Sequence, residues 1–417
     1  MAPEASASIS KPTRIYPWLM ALLAMFMLMV TNGFTTTSIT GYDESLLREF
    51  GWTRGDLKFR DLITLMVAGL SAPFAGALID KVGVRKLMLI GSLLMAAAYF
   101  SYGHITSLTQ MYLIHVVFGV VLVCAGLNIA VILVSQWFVK QRGTAIGIAL
   151  VGSSLGGVVF TPMIVALVGN LGWRDTFQWM SIFNLVLFAV CFWLARRPDE
   201  IGQKPLGFGE VSNGQSQPAS VNDVTYPEAL RTVSFWALAV VAMTTFYALL
   251  ALAGHLFLHL RGFGWTPRAA GFGVSILFTM GLTSKFLFGL LVDYFNLRKV
   301  FFINILVMLA GLLLLASQKV ELIWPAIIVT GFGWGGLYTL LQLQAVNNFG
   351  LTHSGKILGT ITLMDAIAGG LGIWLTGVLF DRFKSYEIAF YIMVGLVILA
   401  LIASTQIKRE IRTRQIA

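Results

Sequence analysis

The sequence predicts an all-α integral membrane protein of twelve transmembrane helices in two six-helix bundles, and three observations carry that prediction. Of its 417 residues, 57% are hydrophobic and 12% charged, with a mean hydropathy of +0.81. The apolar residues gather into runs of about twenty, the length at which a helix crosses a bilayer. Landmarks of the first half recur in the second after 212 or 213 residues.

Taken in order, the apolar runs fall at roughly 17–40, 58–79, 86–105, 109–138, 143–169, 175–195, 233–258, 269–292, 299–317, 322–348, 356–379 and 387–407. The first follows Lys11 and Arg14 and continues as a full span without a small-x-small cleavage site, so it reads as a retained helix. An even number of spans puts both termini on one side. Lys81, Arg85, Lys86, Lys140, Arg142, Arg196, Arg197, Arg298, Lys299, Lys408 and Arg409 all fall on that side, which places the termini in the cytoplasm and the chain in the cell (inner) membrane. The segment 196–232 is rich in Pro, Gly, Ser, Asn and Gln and reads as a flexible cytoplasmic linker. It separates an N-terminal bundle, 1–195, from a C-terminal bundle, 233–417.

The net charge of +10 lies mainly in the short segments between spans, without a basic face or base-stacking aromatics, and so argues for topology rather than a nucleic-acid partner. Cys124 and Cys191 sit inside apolar spans and indicate neither a disulfide framework nor a metal site. There is no P-loop and no His-Glu-x-x-His, so neither an enzyme nor a bound cofactor is expected.

The repeat is visible in four places. Phe50-Gly51-Trp52-Thr53 recurs as Phe263-Gly264-Trp265-Thr266, and Gly76 to Lys86, GALIDKVGVRK, recurs as Gly289 to Lys299, GLLVDYFNLRK. Gly143 and Gly147 match Gly355 and Gly359; Trp173 and Phe177 match Tyr386 and Phe390. A parallel repeat of six helices implies two bundles that can rock about a central site.

Two full charges stand deep in the membrane. Lys285 lies near the middle of the eighth span, where a lysine costs about 2.5–3.5 kcal/mol on insertion scales and marks a substrate or ion path. One turn away on its face, Gly281 and Gly289 leave space for a ligand or another helix. Asp365 falls at a similar depth in the eleventh span, on a face with Thr362, Gly369 and Gly372 that reads as small and open. If Asp365 takes up a proton, Lys285 is freed to bind a carboxylate, which is symport. A fixed Lys285–Asp365 salt bridge and a zwitterionic cargo spanning both residues suit the same charges. Asn32, Asn128, Tyr247, Tyr338 and Gln342 are further polar candidates for substrate contact. Gly331, Gly333, Gly335 and Gly336 are dense enough to predict a bend in the tenth span.

The GALIDKVGVRK loop and its echo resemble the cytoplasmic signature of the major facilitator superfamily. Glu49 to Arg54, Trp137 to Gly147 running into Gly152 to Gly157, Gly172 to Phe177, Arg196 to Glu200, and Gly377 to Asp381 resemble its oxalate/formate antiporters and monocarboxylate transporters. The resemblance implies the major facilitator fold, with the first, fourth, seventh and tenth spans lining the cavity. It implies a conformational latch of Gly76, Asp80 and Arg85 with Gly289, Asp293 and Arg298. In that subgroup an arginine meets the substrate carboxylate, and its place falls at Lys285. The aspartate that monocarboxylate transporters place one turn earlier falls at Gly281, and the second cation of the antiporters is replaced by Asp365, which disfavours a dicarboxylate. His255 matches as a gate or proton-handling group, and His115, without a match, reads as structural. The expected function is proton-coupled symport of small organic monocarboxylates. Alternatives are an organic anion exchanger, a zwitterion transporter or a non-transporting metabolite receptor. The expected partners are the carboxylate, protons and the lipid bilayer, with the protein a monomer.

Overall fold

The computed structural model describes residues 15–208, 224–350 and 354–410. Its helices are α1 (Ile15–Asn32), α2 (Asp43–Phe50), α3 (Arg54–Val82), α4 (Val84–Tyr102), α5 (Leu108–Ala125), α6 (Leu127–Trp137), α7 (Arg142–Leu171) and α8 (Trp173–Leu194) in the first half. The second half holds α9 (Tyr226–Ala229), α10 (Val233–Gly262), α11 (Pro267–Tyr294), α12 (Leu297–Ala316), α13 (Ile323–Phe349), α14 (Ser354–Phe383) and α15 (Glu387–Thr405).

Local chemistry sets the helix starts. Thr53 and Asp56 form a capping box at the head of α3, and Ser107, Thr232 and Thr266 accept from backbone N–H groups in the first turns of α5, α10 and α11. Pro267 adds the fixed φ that suits a first helical turn.

Among the described residues, eleven helical stretches are long and apolar enough to cross a membrane. α3 has 29 residues; its start carries Arg54, Asp56, Lys58, Arg60 and Asp61, and the stretch from Leu62 to Ile79 carries no charge. It is the second of the twelve expected spans.

Two of the expected spans are interrupted. After α1 the chain passes through a π turn, Gly33–Thr37, and a 3₁₀ turn, Ser38–Tyr42, before α2 begins. Hydroxyls of Thr35, Thr36 and Ser38 donate to the carbonyls of Thr31, Asn32 and Gly33 at 2.6–2.7 Å, satisfying backbone groups that have no water to turn to. The fourth span divides into α5 and α6 at Gly126, where a Cβ would collide with the Leu122 carbonyl.

Buried apolar side chains form two clusters, one from Met20 to Ala195 and one from Val224 to Ile407 that also takes in Val165. The halves meet where glycines allow it: a Cβ on Gly377 would lie 2.8 Å from the Arg54 carbonyl, and one on Gly157 would press into the Phe278 ring. The glycine run expected to bend the tenth span lies in an uninterrupted α-helix. Its glycines serve contact, with Gly331 and Gly335 against the backbone of α11 and Gly333 against that of α12.

The segment expected to be a flexible linker has structured ends. Leu206 pairs with the backbone of Trp137, Val139 and Lys140, and Thr225 and Glu228 form a capping box on α9. Residues 209–223 lie outside the described ones.

Candidate functional site

Lys285 sits in the second half of α11, half-buried, and its ammonium reaches across to the other bundle. Its Nζ donates to Ser154 Oγ at 2.8 Å and to Ser153 Oγ at 3.4 Å, both on α7. The rings of Tyr338 and Trp334 stand 5.1 and 5.8 Å from Nζ, within cation–π range. Ser154 is buried and Ser153 partly exposed. Neither serine is a candidate from sequence, where Gly152 to Gly157 enters only through the family resemblance. The same residues spell Gly-x-Ser-x-Gly, which in hydrolases is a strand-to-helix elbow; here all five lie inside α7.

Among the described residues, no ion pair joins Lys285 to Asp365. Asp365 is partly exposed in the middle of α14 and, among the described residues, has no cation within 4.0 Å. The fixed salt bridge considered from sequence is therefore absent from this conformation. The open faces expected beside both charges are mostly filled. Trp334 occupies the space at Gly281, Leu250 packs on Gly369, and a Cβ on Gly372 would lie 2.5 Å from the Tyr247 carbonyl. Gly289 alone of the four is nearly free, with Thr339 Cγ2 at 3.9 Å.

The other polar candidates fall on the expected helices. Asn32 is partly exposed and ends α1 where the π turn begins; Asn128 is exposed one residue into α6, just past the Gly126 break. Tyr247 is partly exposed on α10. Tyr338 and Gln342, one turn apart on α13, are both exposed, and the Tyr338 ring packs 5.2 Å from Phe246. Only Tyr338 is brought into contact with Lys285.

His255 has a different role in the geometry. It is buried, with Nδ1 3.0 Å from the Tyr386 hydroxyl and Nε2 2.8 Å from the Ile373 carbonyl. Tyr386 in turn bonds the Arg54 guanidinium, which lies 3.5 Å above the Phe380 ring. Beside them Asp381 accepts from the backbone N–H groups of Arg54 and Gly55 at 2.9 and 2.6 Å, and Arg261 grips Glu44 through two N–H groups at 2.6 and 2.7 Å. These contacts join the halves at the end opposite the linker, so this end is closed.

At the linker end the latch residues stay within their own halves. Arg85 donates to the Phe192 carbonyl at 2.8 Å and Arg298 to the Thr405 carbonyl, a symmetric pair in the repeat. Asp80 and Asp293 are exposed and, among the described residues, form no ion pair.

A buried charge cluster completes the closed end and was not expected from sequence. Asp43 takes Lys58 Nζ at 2.5 Å and also the Arg60 guanidinium, while Asp61 lies 3.8 Å from Lys58 and 3.7 Å from Arg60. Arg60 also donates to the Tyr102 hydroxyl at 3.1 Å, which stands 3.2 Å from His115 Nε2; His115 Nδ1 is 2.8 Å from Thr64 Oγ1. His115 is thus structural. The capping box Thr53-x-x-Asp56 was the legible signal, because it starts the helix at Arg54 and draws Lys58, Arg60 and Asp61 into its first two turns.

Two helical halves that meet around partly exposed polar residues within the membrane and are tied together at the end away from the linker have the architecture of a membrane transporter. The chain belongs to the Major Facilitator Superfamily, which it matches over residues 18–283 and 258–413. It is similar to the oxalate:formate antiporter of Oxalobacter formigenes, 24% identical over 85% of this chain and 84% of that one. It is also similar to monocarboxylate transporter 13 of Bos taurus, 27% identical over 81% of this chain and 76% of that one. Among solved structures, a bacterial homolog of the human lysosomal transporter Spinster, inward-facing and unoccupied, matches with a TM-score of 0.73 at 16% identity, covering 97% of this chain and all of that one. That likeness shows the fold.

Proposed function

We propose that the protein carries small organic monocarboxylates across the membrane by alternating access, with the carboxylate held on Lys285 and a proton taken up with it on Asp365. The observation that carries this reading is the state of Lys285: an ammonium deep in the bundle whose protein partners are two neutral hydroxyls. A buried charge without a counter-charge is costly, and a substrate carboxylate supplies the missing one. Tyr338 and Trp334 offer an apolar wall beside it. Asp365, mid-helix and, among the described residues, without a cation within 4.0 Å, is the acidic group placed to take up the co-transported proton. Positive-inside topology makes the linker end cytoplasmic, so the closed far end corresponds to an inward-facing state.

Similarity to an oxalate:formate antiporter supports a second reading, exchange of one organic anion for another. Uptake of labelled monocarboxylates into proteoliposomes separates the two. A symporter accumulates label in empty vesicles under an inward proton gradient and loses this in Asp365→Asn. An exchanger needs anion inside and ignores the gradient. If Lys285→Ala transports as the native protein does, the assignment of the anion site is wrong.

A further inference from the structure

At the linker end of the second half, the ends of α12, α13 and α15 enclose a pocket of about 300 Å³ that belongs neither to the path at Lys285 nor to the closed end. Three cations, Arg298, Lys408 and Arg409, and four amides, Asn296, Gln344, Asn347 and Asn348, line it. Gln344 and Asn348 are 3% and 1% exposed, yet Gln344 Oε1 and Asn348 Nδ2 have no hydrogen-bond partner. Buried amides normally find partners. An orphaned donor and an orphaned acceptor in one cationic pocket point to a ligand that offers both.

Residues 408–410 are held in place beside this pocket. Glu410 N donates to the Asn348 carbonyl at 3.0 Å and Lys408 N to Ser234 Oγ at 3.0 Å. The nearby carboxylate of Glu410 is occupied by the Ser234 hydroxyl, and Asp293, at the end of α11, is exposed and does not line the pocket. Arg298 spends one N–H on Thr405 and keeps the rest of its guanidinium for a ligand. In the first half Arg85 makes the equivalent bond to Phe192. There, however, Trp137 donates to the Arg196 carbonyl at 2.9 Å and Leu206 of the linker pairs alongside. The repeat is kept in the arginine and broken in the pocket.

We propose that this pocket binds a phosphate group that carries a hydroxyl. Arg298, Lys408 and Arg409 take the charge, Asn348 Nδ2 donates to a phosphate oxygen, and Gln344 Oε1 accepts the hydroxyl. Orthophosphate and the headgroup of a phosphoglycerol lipid both have this chemistry, and a basic pocket at the membrane surface suits the latter.

The test uses the full chain in two settings. Equilibrium dialysis in detergent measures binding of labelled orthophosphate. Native mass spectrometry from nanodiscs of equal phosphatidylglycerol and phosphatidylcholine measures which lipid is retained. Saturable phosphate binding, preferential phosphatidylglycerol retention, or both are expected. Phosphate binding alone identifies the free ion, and lipid preference alone identifies the headgroup. The double variant Lys408→Ala/Arg409→Ala weakens either signal about thirtyfold, and Asn348→Leu, which keeps every charge, weakens it at least fivefold; thermal unfolding checks that both variants fold. Absence of both signals overturns the site, as does a signal that survives the double variant. A signal lost in the double variant but unchanged in Asn348→Leu also overturns it, since that reports surface charge without a built pocket.

Discussion

Asp381 of the second half caps α3 of the first: its two carboxylate oxygens accept from the backbone N–H groups of Arg54 and Gly55 at 2.9 and 2.6 Å. The first N–H groups of a helix lack intrahelical partners and lie at the positive end of its dipole, so a carboxylate borrowed from the opposite bundle ties the halves with charged hydrogen bonds. The repeat does not reproduce this lock. The position matching Arg54 at the head of α11 is Pro267, which has no N–H, and the position on α7 matching Asp381 is Gly169.

Asp381→Ala is therefore expected to open the far end. Hydrogen bonds to a charged group contribute about 1.5–3 kcal/mol. A cysteine at Thr376, buried in α14 next to this contact, should react with an impermeant maleimide at least tenfold faster in the Asp381→Ala background, with Cys124 and Cys191 replaced. An unchanged rate means that Glu44–Arg261 and the Arg54–Tyr386 contact hold the closure without it.

Ser154 is expected to matter for substrate affinity. Its hydroxyl fixes the Lys285 ammonium at 2.8 Å from across the bundle interface, and Ser154→Ala should raise KM about tenfold while leaving kcat within a few-fold, on the same hydrogen-bond magnitude. Lys285→Arg should keep measurable transport, because the charge survives although its geometry changes. A Ser154→Ala variant with native KM would make the contact incidental.

The fold was legible because its signals are collective: hydropathy summed over twenty residues, loop charge, and a repeat that shows in four places. Lys285 and Asp365 were legible because charge in an apolar run is conspicuous. Ser153 and Ser154 were not, since a serine among glycines looks like packing and only the reach of a lysine from another helix reveals otherwise. Lys58, Arg60 and Asp61 stand at the start of the run 58–79, where charge normally meets water. Asp43, beyond the far end of the first span, is what lets these charges stay inside. The filled faces at Gly281, Gly369 and Gly372 were out of reach for a similar reason: a glycine states that something can come close, not which side chain does.

The Asp43 cluster yields a stability prediction. Lys58, Arg60 and Asp43 are all fully buried, and removing one partner of such a pair costs about 3–5 kcal/mol because the others stay buried uncompensated. Asp43→Ala should lower the thermal unfolding midpoint more than Lys58→Met, which removes one cation and leaves Asp43 still paired with Arg60. Equal midpoints for the two variants would show that the cluster is hydrated enough to tolerate the loss.

Gly335 offers the sharpest test of the close packing in the second half. Its Cα stands against the Gly281 carbonyl of α11, and an added Cβ would overlap that oxygen. The obstacle is backbone, which cannot rotate away as a side chain can, so even Gly335→Ala must push α13 from α11 and with it Trp334 and Tyr338, which flank Lys285. Overpacking of this kind costs about 1–3 kcal/mol. Gly395→Ala is the control, since nothing lies within 4 Å of a Cβ there. Size-exclusion profiles and unfolding midpoints of the two variants should differ clearly, with Gly395→Ala at or above the native midpoint, because alanine favours the helix over glycine by about 1 kcal/mol. If Gly335→Ala folds and transports like the native protein, α11 and α13 have room to separate and do not hold Lys285 rigidly.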